Sequence, residues 1–136
     1  MDTIMVCIDE SETSEIVLGR AVEMAKAFDA ALHVVHAVYG PAKIRGHVEL
    51  PNETADYAGR IAADGARRAE ELGATRVSFH GLLGDIGPAL CEAAERLDAD
   101  LIVMGSRGHG RVVGAILGSA AQHVTAHAPC SVLVAR

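Results

Sequence analysis

The chain has no tryptophan, and only 3% of its 136 residues are aromatic. Its core must therefore be built from Val, Ile, Leu and Ala, as α/β folds often are. Three cysteines (Cys7, Cys91 and Cys130) are an odd number and show no C-x-x-C spacing. They read as small apolar residues in a reducing compartment rather than as a disulfide framework. No apolar run approaches the ~20 residues that a membrane helix needs. The opening MDTIMVCIDE carries an acid at position 2 and lacks the basic start of a signal peptide, so a cytoplasmic location is expected. Basic charge is also scarce. With 12 Lys and Arg against 18 Asp and Glu, the formal net charge is −6. That balance argues against a nucleic acid or an anionic membrane as main partner, so any anion site must be local. Two nucleotide fingerprints are missing. No Gly-Lys pair exists for a Walker A loop. The first apolar run is followed by Asp9-Glu10-Ser11 with no glycine before Gly19, so the dinucleotide loop is absent as well.

What is present is a regular alternation, in a length that suggests one domain over residues 1–136. Thr3 to Ile8 is apolar without period-two alternation, as in a strand buried on both faces. Ser11 is placed to cap a helix over about 12–28, on which Val17, Ala21, Ala25 and Phe28 share a face. Ala31 to Val38 is a second strand. Residues 39–52 are irregular, with Gly40-Pro41, Gly46 and Pro51, and read equally as a lid or as a connector. From Glu53, helical spacing runs through Ile61, Gly65, Ala69 and Leu72 until Gly73 closes the helix. Thr75 to Leu83 is a third strand, and Asp85 is placed to cap a helix carrying Leu90, Ala93, Ala94 and Leu97. Asp100 to Met104 is a fourth strand. Leu117, Ala121, Val124 and Ala128 mark a last helix, which Pro129 stops before the strand Ser131 to Ala135. Strict β-α alternation demands a parallel sheet with helices on both faces. Five strands commonly take the order 3-2-1-4-5 or the flavodoxin-like 2-1-3-4-5.

The most informative stretch is Leu101 to Ala121, LIVMGSRGHGRVVGAILGSAA. An apolar strand runs into Gly105, Gly108, Gly110 and Gly114, and Gly118-Ser119 then opens a helix. Four glycines in ten residues exceed what one tight turn needs. Glycine lets a backbone approach a ligand closely, and a helix start offers unpaired N–H groups to a phosphate. Arg107 and Arg111 add positive charge, as phosphate partners or as solvated loop residues, and Ser119 adds a hydroxyl. In the order 3-2-1-4-5, strands 1 and 4 meet at the switch point, where ligands bind beyond the strand ends. Asp9 then stands beside Gly105, placed to accept from a ribose hydroxyl or an adenine amine or to help hold a metal. Ala37 offers a small flat wall for a base. The seven histidines do not assemble into a recognisable metal motif. His123 and His127 share a helix face without the H-E-x-x-H glutamate, and His33 and His36 point to opposite faces of a strand. His109, within the glycine loop, is the one histidine whose position would let it reach a phosphate. No G-x-S-x-G elbow or nucleophile–base pair is present, so no catalytic residue is assigned.

Gly105-Ser-Arg-Gly108, nine residues, then Gly118-Ser119 spells G-x2-G-x9-G-[ST]. This resembles the ATP-binding motif of the universal stress protein family, and the likeness spans essentially the whole chain. The start IMVCIDESE, Gly84-Asp85, the run DLIVMGSRG and the close APCSVLVAR are also typical. The resemblance implies a doubly wound, Rossmann-like five-stranded parallel sheet of order 3-2-1-4-5. It places Asp9 and Ala37 near the adenosine, and Gly105, Arg107 and Gly108 around ribose and phosphate. Gly118, Ser119 and Ala120 would meet the outer phosphates, with Met104 against the ligand from the strand end. Cys7 and Ala120 depart from frequent family residues, and neither removes a required polar group. The function implied is capture of ATP with Mg2+ by a stress-response regulatory domain. A homodimer through Ser131 to Arg136 is implied too, which would cover an apolar edge strand. The alternatives are slow ATP hydrolysis or phosphoryl transfer at the same site, and a nucleotide-independent dimeric interaction domain.

Overall fold

The computed structural model describes residues 1–40, 52–107 and 117–136, with the side chains of 52–55 set aside. Among the described residues nine elements alternate. They are β1 (Thr3–Cys7), α1 (Thr13–Phe28), β2 (Ala31–Tyr39), α2 (Asn52–Glu71), β3 (Val77–Gly84), α3 (Ile86–Arg96), β4 (Leu101–Gly105), α4 (Ser119–His127) and β5 (Ser131–Ala135). The five strands form one parallel sheet in the order β3-β2-β1-β4-β5, as expected.

The unbroken apolar runs follow from burial on both faces. Along β1, Ile4 and Val6 turn to the side of α1 and α2, where they meet Val17, Leu18, Leu32, Val34 and Val103. Met5 turns to the side of α3 and α4, against Val35, Leu90, Ile102 and Val124. With aromatics scarce, close approach comes from small residues. Ala58, Ala62, Ala66 and Ala69 are buried on α2. A methyl group added to Gly81 of β3 would lie 2.4 Å from the backbone nitrogen of Gly59 on α2. Gly81 is thus glycine because helix and strand backbones nearly touch there.

Helix ends differ in detail from what the sequence suggests. Ser11 does not cap α1: Glu12 is the N-cap residue, in helical conformation and without a side-chain cap bond. Ser11 is held elsewhere, its amide by Asp9 and its carbonyl by the amide of Ser14. Asp85 does occupy the N-cap of α3, yet its side chain makes no cap bond. Gly73 follows α2 with a φ of +105°, the left-handed conformation expected of its position. Strand β5 begins at Ser131, as expected, with Cys130 just before it. At the chain start, Asp100 Oδ2 accepts from the amides of Asp2 and Thr3 at 2.8 and 2.9 Å. That pins β1 beside β4 at the end of the sheet opposite the site. No described helix is long and apolar enough to cross a membrane.

The register sets the site. Ile4 pairs with Leu101 and Val6 with Val103, so the chain segments leaving β1 and β4 emerge side by side at the carboxyl edge. Strand β1 continues one residue further, where the amide of Ile8 donates to Val35 of β2 at 2.9 Å.

Candidate functional site

Beyond that edge lies a cavity of about 380 Å³, within the size range of small-molecule sites. Val17, Ile86, Leu90 and Met104 contribute apolar wall, and Asp9, Ser11, Thr13, Ser106, Arg107 and Ser119 bring polar groups to it. A mixed lining of this kind suits a ligand with one flat apolar end and one charged end.

Asp9 is the second residue past β1, and three hydrogen bonds hold it. Its Oδ1 accepts from the amide of Ser11 at 2.7 Å and from the hydroxyl of Ser14 at 2.9 Å. Its own amide donates to Ser14 Oγ at 2.9 Å. Ser14, only 5% exposed, therefore spends its single proton on the carboxylate and its lone pair on the amide. The carboxylate is fixed by the first turn of α1 rather than left to rotate.

Opposite Asp9, β4 ends in Met104 and Gly105. Met104 is buried, and a methyl group on Gly105 would stand 3.4 Å from Val17 Cγ2, so the strand exit passes close over α1. Ser106 then accepts a 2.6 Å hydrogen bond from the amide of Gly118. This contact ties the start of α4 back to the exit of β4. Gly118 is the N-cap of α4, with extended backbone and no side-chain cap. The amides of the first turn of α4 have no intrahelical partner and carry the positive end of the helix dipole.

The end of β2 supplies a third wall. His36 is buried, and its Nδ1–H donates to the carbonyl of Ile8 at 2.8 Å. Its ring meets Tyr57 of α2 edge-on, with centroids 6.4 Å apart. Ala37 and Tyr39 line the cavity beyond it. Cys7 is also in the wall. Burial is the main cause that pushes its thiol up to about 12, with the neighbouring thiols of Cys91 and Cys130 adding to the effect. It is an uncharged, apolar surface at neutral pH.

Of the residues singled out from the sequence, Asp9, Ala37, Met104, Gly105, Arg107, Gly118, Ser119 and Ala120 all line this one cavity. Gly108 lies outside the described residues, as do His109, Gly110, Arg111, Gly114 and most of the 39–52 stretch. Several wall residues were not singled out from the sequence, among them Ser14, His36, Tyr39 and Tyr57. A signal was available, since the chain has only two tyrosines and both border the cavity. The other described histidines, His33, His80, His123 and His127, are not among its lining residues. His33 Nδ1 and His80 Nε2 are 3.0 Å apart in a stacked pair, so His33 and His36 do face opposite sides of the sheet. His123 and His127 stack on α4. Among the described residues no group of three or more His, Cys, Asp or Glu could hold a metal ion.

The sequence model of the universal stress protein family matches residues 1–136. The chain belongs to the universal stress protein family. It is 36% identical over 137 residues to a universal stress protein of Thermus aquaticus, covering 98% of each chain. Among solved structures, a universal stress protein of Lactobacillus plantarum superposes with a TM-score of 0.81 at 24% identity, covering 99% of this chain and 97% of the other. A universal stress protein in complex with cAMP superposes with a TM-score of 0.79 at 26% identity, covering 99% and 97%. The Rossmann-like sheet is thus the universal stress protein fold, and the G-x2-G-x9-G-S stretch frames its cavity with Gly105 on one side and Gly118-Ser119 on the other.

Proposed function

We propose that this universal stress protein captures ATP at the cavity between β1 and β4 and acts as a nucleotide-dependent regulatory domain spanning the whole chain. The observation that carries the reading is the bond from Gly118 to Ser106. It sets the open first turn of α4 beside the exit of β4, and a carboxylate held by Ser14 stands across the cavity. The first offers amides to phosphates, and the second offers an acceptor to the nucleoside. The cAMP complex of a family neighbour supports an adenine nucleotide as the ligand class. In this reading Arg107 and Ser119 approach the phosphates, Asp9 and Ala37 the adenosine, and Met104 packs beneath. Mg2+ enters with ATP, held mainly through phosphate oxygens and water, as suits that ion.

The same reading includes a cytoplasmic homodimer joined along β5. This strand ends the sheet, so one of its edges has no partner strand among the described residues, and Leu133 on it is 36% exposed. Pairing with a second copy would satisfy the edge. Nucleotide occupancy then has a route from α4 to the adjoining β5. Sedimentation at micromolar concentration that finds only monomer removes the dimer from the reading.

The test of the site is a comparison of wild type with Gly118→Val. A branched side chain at the N-cap crowds the start of α4. ATP affinity is expected to fall at least about tenfold, beside a loss of about 1 kcal/mol in stability from the poorer N-cap residue. Equal ATP affinity in the two proteins overturns the phosphate assignment. The form of ATP recovered after hours with the wild type separates a binding module from a slow hydrolase.

A further inference from the structure

The tautomer of His36 is settled by its neighbour. Ile8 presents a carbonyl oxygen, which can only accept, so the proton of the neutral imidazole must sit on Nδ1. Nε2 is then an acceptor with its lone pair exposed along the ring plane. Among the described residues nothing donates to it. The ring is only 6% exposed, and it borders the cavity. Yet Nε2 is not sealed in. Arg68 Nε is the one fully buried side-chain polar atom without a partner among the described residues. The small exposed part of His36 therefore faces cavity space. The edge-on contact with Tyr57 holds the ring plane, so the acceptor keeps its direction.

An acceptor with a fixed tautomer and no partner among the described residues is left to water until a ligand donor replaces it. It also selects what approaches. Adenine presents an amine donor on its exocyclic edge, where guanine and hypoxanthine present a carbonyl acceptor. We propose that His36 is the base-reading residue of the cavity: its Nε2 accepts from the exocyclic amine of adenine and repels the O6 carbonyl of other purines. The inference rests on the nucleotide reading above and adds the residue that makes the site specific for adenine. Asp9 is the competing acceptor, although its Oδ1 already takes two donors.

The experiment titrates nucleotide-stripped protein with ATP, ITP and N6,N6-dimethyl-ATP. ITP replaces the amine with a carbonyl, and the dimethyl analogue removes its donors. Wild type is expected to prefer ATP over both by about tenfold or more. His36→Phe, which keeps a ring and removes the acceptor, is expected to bring the three affinities together. Since that variant also strips Ile8 of its donor, a wild-type measurement stands beside it. The 15N resonance of His36 Nε2 is expected to move upfield with ATP and to stay in place with ITP. Discrimination that survives His36→Phe, or an Nε2 resonance indifferent to ATP, overturns the role of His36 while leaving the nucleotide site intact. Wild type that binds none of the three overturns the nucleotide reading itself, and the base-reading role falls with it.

Discussion

Ser14 Oγ lies 2.9 Å from the amide nitrogen of Asp9 and 2.9 Å from its carboxylate, so one buried hydroxyl holds both ends of the residue that heads the cavity. The pair links the first turn of α1 to the exit of β1. Removing the hydroxyl would leave an amide and a carboxylate oxygen short of a partner inside the fold. Ser14→Ala is therefore expected to cost about 1–3 kcal/mol. Urea denaturation should show a lower midpoint with an unchanged slope. A midpoint equal to wild type would mean that water replaces the hydroxyl without loss.

Two glycines in contact make opposite predictions. A methyl group on Gly81 would fall 2.4 Å from Gly59 N and 2.7 Å from the carbonyl carbon of Ala58, both backbone atoms that cannot swing aside. Gly81→Ala is expected to destabilise by about 1–3 kcal/mol through displacement of α2 from β3. A methyl group on Gly59 meets nothing within 4 Å. Gly59→Ala is expected to stabilise by about 0.5–1 kcal/mol, because alanine suits a helix interior. Thermal or denaturant unfolding of both variants checks the pair, and the same sign for both would contradict the packing described.

The stacked imidazoles give the fold an acid dependence. Burial lowers the pKa of His33 below the ordinary 6.5, with the charge of His80 adding to it. Burial likewise lowers that of His80, helped by Arg96. The native state therefore holds these rings neutral, while the unfolded chain takes up protons once the pH drops towards 6.5. Their contribution is complete above 6.5 and is lost progressively as the pH falls through the lower native values. Stability measured from pH 8 to pH 5 should decline, and His80→Gln should flatten the decline. A slope unaltered by that variant would place its origin elsewhere.

Cys7 should be a poor nucleophile despite lining an open cavity. Burial raises its thiol from 9.0 to about 12, which lowers its thiolate fraction at pH 8 roughly a thousandfold. Mass spectrometry after iodoacetamide treatment of the native protein should find Cys7 unmodified when a peptide thiol has fully reacted. The sign for stability is the reverse of the histidines: the neutral thiol's contribution is complete below 9.0 and is lost as the pH rises towards about 12. Rapid alkylation of Cys7 would contradict the raised thiol pKa that burial gives it.

The sheet was legible in the sequence because its runs are apolar on both faces. Ile4, Met5 and Val6 are all fully buried, and such a run has few other places to go. Strand order followed from the strict alternation together with the family likeness. The site was legible where chemistry and backbone coincide, as at Gly105 and Gly118, which bracket a strand exit and a helix start. Cap chemistry was less legible. Ser11 has the composition of a cap, yet Asp9 takes its amide, a competition between local acceptors that spacing does not decide. His36 was read only as one of two strand histidines. Its importance comes from the carbonyl of Ile8, a backbone atom 28 residues away that no periodicity points to.

The measurement that tests the central claim most directly is a calorimetric titration of nucleotide-stripped protein with ATP and Mg2+, with GTP alongside. Micromolar binding of ATP at about one site per chain, and clearly weaker binding of GTP, is the expected result. No heat and no rise in melting temperature with ATP would contradict the claim, leaving the universal stress protein fold with a cavity that serves some other ligand.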